Sequence, residues 1–578
     1  MPTQWPETSW LQSKLNRPFL RLVAHFAATI FEGESAAQDV EFGMGGLLAL
    51  LAVPGGFVSL ILFDKYSSLM MFLRHRPALN IYTESLPDKY FFIVFSMAIT
   101  GVITVLKWDR ILPGLRDYAN LAPLPISART IFGASLTAIF ITASLFAADV
   151  NAASVVLFPM VVVANRGSLG ELAAFAGVHA LCVMLASAFS FLACFSLMSA
   201  LMALLPHRAF RRISLYVRIL LIVSMVAMLG TAFAAPQMVA AMPANGNSAV
   251  AMLPPVWYLA LYQSLQGHAS PALATLRGTG LRALFVVFGA ALFFCALSYR
   301  RYFMRISESA GTPLFRRRAG WRLPGSMSLP SSHFQRACYC FGLTALFRSE
   351  KHCIFFGGFA GMGLVAASET ALSAFAERQP GVPEAGLLSI SLIPAYFVIL
   401  GLRFVFEMPV ELEANWMYQV ILDPSNNEAA AVARKIILTV LFAGVILPTL
   451  VVCVFAWGWM TALLHAAFVL ALTMLLTETL LVGFRKIPFT CSFPPFRNNV
   501  VVLVLVMVLG YFFFTGSGAS VEHWMLLRPF RFLWLVPAAA VAWDVLRRIR
   551  KEIPPMDTCL IYREHTAAAV QPLNLFGN

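Results

Sequence analysis

Charge is what this chain has least of. Asp, Glu, Lys and Arg make up only 12% of its 578 residues, while 59% are hydrophobic. A soluble domain carries roughly a quarter charged residues, so a water-soluble globular protein is excluded. The chain also lacks the motifs of nucleotide and hydrolytic chemistry. No GxxxxGK[ST], HExxH or GxSxG occurs. No phosphate cradle for ATP, zinc-protease helix or nucleophile elbow is therefore encoded, and the chain is not expected to be an enzyme. Cysteine is sparse, with nine residues. Cys182, Cys194, Cys295 and Cys453 lie in apolar runs, where a thiol is a small packing residue. Cys338, Cys340 and Cys353 stand near His333 and His352 without the paired CxxC arms of a zinc site, so no metal is expected. Residues 1–41 lack a basic stretch followed by a short apolar core, so no cleavable signal peptide is expected.

What the chain has is apolar length. Runs of about 20 residues, enough to cross a bilayer, recur from Gly43 almost to Arg547. The reading is an all-α polytopic membrane protein of about twelve transmembrane helices in two six-helix halves. Its parts are an amphipathic, interfacial segment (1–42), a first membrane half (43–298), a basic cytoplasmic linker (299–351), a second half (352–546) and a cytoplasmic tail (547–578). The net charge of +14 follows from basic loops on the inner side, and nucleic acid is not an expected partner. The partner is the lipid bilayer, of the bacterial inner (plasma) membrane type.

Residues Trp5 to Phe31 space apolar residues helically around Lys14, Arg17 and Arg21, the pattern of an interfacial helix. The run Gly43 to Phe63 is broken by Pro54-Gly55-Gly56 and reads as a kinked span or a hairpin. Spans follow at Tyr90 to Leu106, Ile131 to Ala148, Leu172 to Leu205, Ile219 to Met242 and Leu281 to Leu297. The fourth is too long for one straight crossing. The loop Asp64 to Lys89 sits awkwardly outside, because it holds Lys65, Arg74, Arg76 and Lys89. Leu253 to Leu265 reads as a short outer helix opened by Pro254 and Pro255. Its Trp257, Tyr258, Leu261 and Tyr262 share one face suited to the membrane surface. Second-half spans are expected near 353–372, 387–406, 436–456, 460–484, 500–514 and 532–546.

Charged groups within these spans are few. His179, His465 and Glu478 lie inside apolar runs, and Glu369, Arg403 and Asp544 near span ends. Intramembrane ionisable groups mark ion pathways when they cluster. Their scarcity counts against ion-driven transport and against an intramembrane enzyme.

The polar interval Lys107 to Thr130 separates spans two and three. It carries Arg116, Asp117 and Arg129 around Leu121-Ala122-Pro123-Leu124-Pro125-Ile126-Ser127. Prolines fix its shape, and Leu121, Leu124 and Ile126 give it an apolar face with a charged rim. This stretch, together with Leu253 to Leu265, resembles the membrane subunits of ABC-2 type exporters, over about residues 10–300. That resemblance implies an interfacial helix before span one, a coupling segment between spans two and three, and short outer helices between spans five and six. It implies export of an unspecified substrate, driven by a separately encoded ATP-binding subunit. ATP and Mg would sit in that partner, with no cofactor in this chain. In the second half, Asp423-Pro424-Ser425 within Glu407 to Lys435 occupies the analogous place, as a second coupling element or as part of an accessory domain. A homodimer is a further assembly open to the chain. The alternatives are a gradient-driven secondary transporter, marked by a buried polar cluster around His179, His465 or Glu478, and a non-transporting membrane scaffold.

Overall fold

The computed structural model describes residues 18–31, 55–56, 58–63, 65–66, 81–108, 126–163, 168–243, 249–309, 332–376, 382–410, 428–484, 486–490 and 500–552. These residues are mostly helical and form no strand. Ten of the helices are long and apolar enough to cross a membrane. The chain divides into two compact units, residues 1–317 and 318–578. The boundary falls inside the basic stretch read as a linker.

In the first unit, α1 (Pro18–Phe31) is followed by helical residues 55–56, 58–63 and 65–66, and then by α2 (Leu86–Leu106). After residues 109–125 come α3 (Ala128–Val163), α4 (Leu169–Leu204) and α5 (His207–Ala240). Two short helices, α6 (Pro254–Leu265) and α7 (Pro271–Leu276), lead into α8 (Thr279–Ser309). α2 is the centre of this unit and packs on α4 and α5, while α4 also packs on α8. Lipid tails are as apolar as leucine, so close backbone approach through small residues holds such helices together. Gly101 shows the fit: a methyl there would lie 2.8 Å from both Met225 Sδ and Ser190 Oγ.

α3 corrects an expectation. The third span is expected to end at Ala148, yet the helix continues through Asp149 and Asn151 to Val163. Asn151 is carried inside it because its amide donates to Ala147 O (2.7 Å) and Ser187 Oγ (3.3 Å). A buried polar group with partners is tolerated where a bare one is not. α4 is one unbroken helix. Ser168 caps it by accepting from the Glu171 amide at 3.3 Å, and at 36 residues it is about 54 Å long.

The broken first run rises alongside α3. A methyl on Gly55 would lie 3.5 Å from Val150 O, and Tyr66 packs on Phe158 further along. The described part thus climbs in one direction towards the end of α3. The awkward lysines nearby are committed to the protein. Lys65 Nζ donates to Asp88 at 2.7 Å, and Lys89 is fully buried.

In the second unit, α9 (His333–Arg348) precedes α10 (Glu350–Ala376) and α11 (Ala385–Val405). Then come α12 (Ala429–Trp457), α13 (Trp459–Leu480), α14 (residues 500–526) and α15 (Leu535–Glu552). α9 lies in the stretch read as a linker. That stretch is basic in composition, but Ser332 caps a helix there by accepting from the Gln335 amide. α10 and α11 pack closely, because a methyl on Gly363 would lie 2.9 Å from Pro394 Cα and one on Gly401 2.6 Å from Phe359 Cβ. α12 and α14 each contain one π-turn, Phe442–Ile446 and Phe513–Ser517.

Candidate functional site

Most of the proposed coupling segment lies outside the described residues: Arg116, Asp117, Leu121, Pro123, Leu124 and Pro125, and in the second unit Asp423, Pro424 and Ser425. Ile126, Ser127 and Arg129 are described. Ser127 starts α3, since its Oγ accepts from the Thr130 amide at 3.1 Å. Arg129 is exposed. Ile126 packs on the cluster of Leu22, Val23 and Phe26 from α1 with Ile131, Ala134 and Ala138 from α3. Its apolar side chain is therefore held by this chain's own helix. α1 is seated on the first turns of the helix that leaves the inner loop.

The second unit repeats that relation. α9 packs on the opening of α12. Tyr339 Oη and Thr439 Oγ1 are 2.9 Å apart, Lys435 Nζ donates to Gln335 Oε1 at 2.7 Å, and Ser332 Oγ donates to Glu428 at 2.7 Å. The contact is tight enough that a methyl on Gly342 would meet Ile436 Cδ1 at 2.4 Å. Glu407 joins Arg403 and Lys486 there, and Glu478 pairs with Arg434. Glu478 and Arg403 are thus ties at one end of the bundle.

The outer helices are packed differently from the surface helix expected. α6 forms from Pro254 as its prolines predict. Its Tyr258 and Tyr262 are completely buried, Leu261 nearly so, and Trp257 partly. Protein covers the face that was assigned to the membrane surface, because α6 lies against α4 and α2. Burial pushes both tyrosine hydroxyls above their ordinary range. Tyr262 Oη lies 3.3 Å from His179 Nδ1, and His179 Nε2 lies 3.5 Å from Ser154 Oγ. Lys89 Nζ donates to Tyr82 O (2.9 Å) and Gln266 Oε1 (2.6 Å), over the rings of Tyr262 and Phe175. A polar seam continues down α2 and α4: Ser96 bonds Ser187, and Ser190 Oγ donates to Met97 O.

The second unit holds a tighter cluster. His465 of α13 places Nδ1 at 2.5 Å from Glu522 Oε1 of α14 and Nε2 at 2.7 Å from Ser391 Oγ of α11. All three are buried. Trp457 stands edge-on to the imidazole at 5.7 Å. His465 was singled out from sequence, whereas Glu522 and Ser391 were missed. Glu522 lies beyond the apolar core of its run, and nothing in spacing links residues 131 positions apart. The signal available was a carboxylate within one helical run of Val500 to Phe514. The Ser–His–Glu order resembles a hydrolytic relay. Ser391, however, sits in mid-helix, where its Oγ is also 3.2 Å from Leu388 O and its neighbours offer their amides to the helix.

Cys338 and Cys340 do not converge. Two positions apart on a helix they face different ways, and Cys338 is buried while Cys340 is exposed. Burial, then Glu428, pushes the Cys338 thiol up to about 11. Among the described residues no group of three or more His, Cys, Asp or Glu is placed to hold a metal ion.

Fold and clusters together define a multi-pass helical membrane protein. No family model, curated protein or solved structure matches the chain.

Proposed function

We propose that this chain is the membrane-spanning subunit of an ABC-type exporter, of two six-helix halves and twelve spans, driven by a separately encoded ATPase. The observation that carries the reading is the seating of a short helix on the start of the long helix that follows the proposed inner loop, found once per unit. α1 grips the start of α3 through Leu22, Val23 and Phe26. α9 grips the start of α12 through Tyr339, Gln335 and Gly342. A push on either loop is then delivered to two elements moving as one, which is what a cytoplasmic motor requires of its handle. The order of elements supports duplication: interfacial helix, two spans, inner loop, then the remaining spans. In this scheme the chain supplies no catalytic group, and ATP with Mg belongs to the partner.

The test is co-purification of the full chain with a co-expressed ATP-binding subunit. Leu124→Asp should abolish association while expression persists, and Arg129→Ala should weaken it. Unchanged association in Leu124→Asp would sink the docking claim.

One observation favours a gradient-driven carrier instead. The His465–Glu522 pair is the buried polar cluster that such a carrier needs. The two readings part on energy source. Transport into vesicles that contain this chain alone, driven by an imposed ion gradient, would favour the carrier.

A further inference from the structure

His465 stands between two buried oxygens. Its Nε2 lies 2.7 Å from Ser391 Oγ, which is also 3.2 Å from Leu388 O, and its Nδ1 lies 2.5 Å from Glu522 Oε1. A glutamate anion beside a neutral imidazole would leave the buried pair with a net negative charge. One added proton, shared between carboxyl and imidazole, makes the pair neutral.

We propose that Glu522, His465 and Ser391 form a proton-binding site in the second unit. The site releases its proton only when α11, α13 and α14 part to admit water. Glu522 is completely buried, and its Oε2 has no hydrogen-bond partner. Loss of the proton would leave a bare carboxylate where neutral groups pack, which is strongly disfavoured. Among the described residues neither Glu522 nor His465 pairs with a lysine or arginine to offset that charge. Of the titratable groups on the packed elements, the buried Cys453 thiol of α12 is close enough to Glu522 to interact with it and brings no positive charge. His523 of α14 bonds Pro383 O, and Arg403 of α11 pairs with Glu407. Glu478 of α13 pairs with Arg434 of α12, and Asp544 of α15 with Arg548.

The ligand is a proton rather than a metal cation. The direct nitrogen–oxygen contact leaves no room for an ion, and a single carboxylate is a poor cage for a hard cation. The helices around the site are irregular in ways that ease movement. Pro394 follows Ser391 by three residues, and the π-turn Phe513–Ser517 precedes Glu522 in the same helix. Such breaks mark hinges and functional positions. The inference does not depend on the coupling-loop reading, since it requires no ATPase.

The experiment is pH-difference infrared spectroscopy of the purified full chain in lipid nanodiscs. The wild type should show a protonated carboxyl band that disappears as pH rises, with release of about one proton per chain. Glu522→Gln should remove that band, and Glu369→Gln should leave it. Glu522→Asp, which keeps a carboxyl but lengthens the contact, should retain the band with a moved midpoint. Ser391→Ala should also move the midpoint. If the wild type shows no titrating carboxyl, or Glu522→Gln titrates like wild type, the site is overturned. If Glu522→Gln does not fold, unmoved midpoints in both Glu522→Asp and Ser391→Ala overturn it equally.

Discussion

Asp88 shows how single residues set the first unit's outer end. Its carboxylate accepts from Lys65 Nζ and from Tyr66 Oη at 2.5 Å, and Tyr66 is almost wholly buried. Asp88→Leu strands that phenol hydroxyl, at a cost of about 1–3 kcal/mol. Adding Tyr66→Phe should recover most of the loss. Thermal unfolding of the four-member cycle in nanodiscs checks this, and strictly additive effects would refute the bond's importance. A second residue-scale prediction concerns thiols. Cys340, exposed, should react with a maleimide well before Cys338, whose buried thiol is pushed up to about 11. The sign is direct: below that pH Cys338 stays a neutral thiol, the unreactive form. Equal rates in single-cysteine chains would contradict the packing of α9. At this scale the sequence was a partial guide. His465 was legible because a histidine in an apolar run is conspicuous. Glu522 and Ser391 were not, because their meeting depends on three helices packing, which no local spacing encodes.

Among the elements, hydrophobic length made most spans legible, and their ends were less so. The span expected to end at Ala148 continues in α3 past Asp149 and Asn151, because Asn151 finds its partners within the bundle. α9 was hidden by composition, since its arginines read as a linker while its Gly342 faces Ile436 of α12 and its Leu343 and Leu346 are buried in the core. The π-turns left no sequence signal at all. Glycine contacts give the element-scale prediction. Gly363→Ala sets a methyl 2.9 Å from Pro394 Cα, which is backbone and cannot step aside. Overpacking of this kind costs about 1–3 kcal/mol. Gly289→Ala in α8 meets nothing within 4 Å and should be neutral or gain up to about 1 kcal/mol in helix propensity. Melting temperatures of the two variants in one lipid should diverge in those opposite directions. Equal destabilisation would show that α10 and α11 are not so closely packed.

At the scale of the whole molecule, the proposed duplication requires a shared order of elements, and no residue-level repeat is visible. That follows from how membrane helices are held together. Almost any apolar residue satisfies lipid, so matched architecture leaves little matched sequence. The shared order makes orientation testable. If each unit seats its amphipathic helix on the helix leaving an inner loop, Ser127 and Glu428 must lie on one face of the membrane. α2 and α11 run into those loops, so residues before them lie on the opposite face, as do Ser270 and Val382. The expectation that basic loops stay inside assigns that first face to the cytoplasm. In intact cells, cysteines substituted at Ser127 or Glu428 should resist a membrane-impermeant maleimide until the membrane is opened. Cysteines at Ser270 or Val382 should react at once. Labelling of Ser127→Cys from outside would invert the topology and remove its loop from any cytoplasmic motor. If Ser127→Cys is protected but Glu428→Cys is labelled, the duplication fails and only the first unit retains a handle.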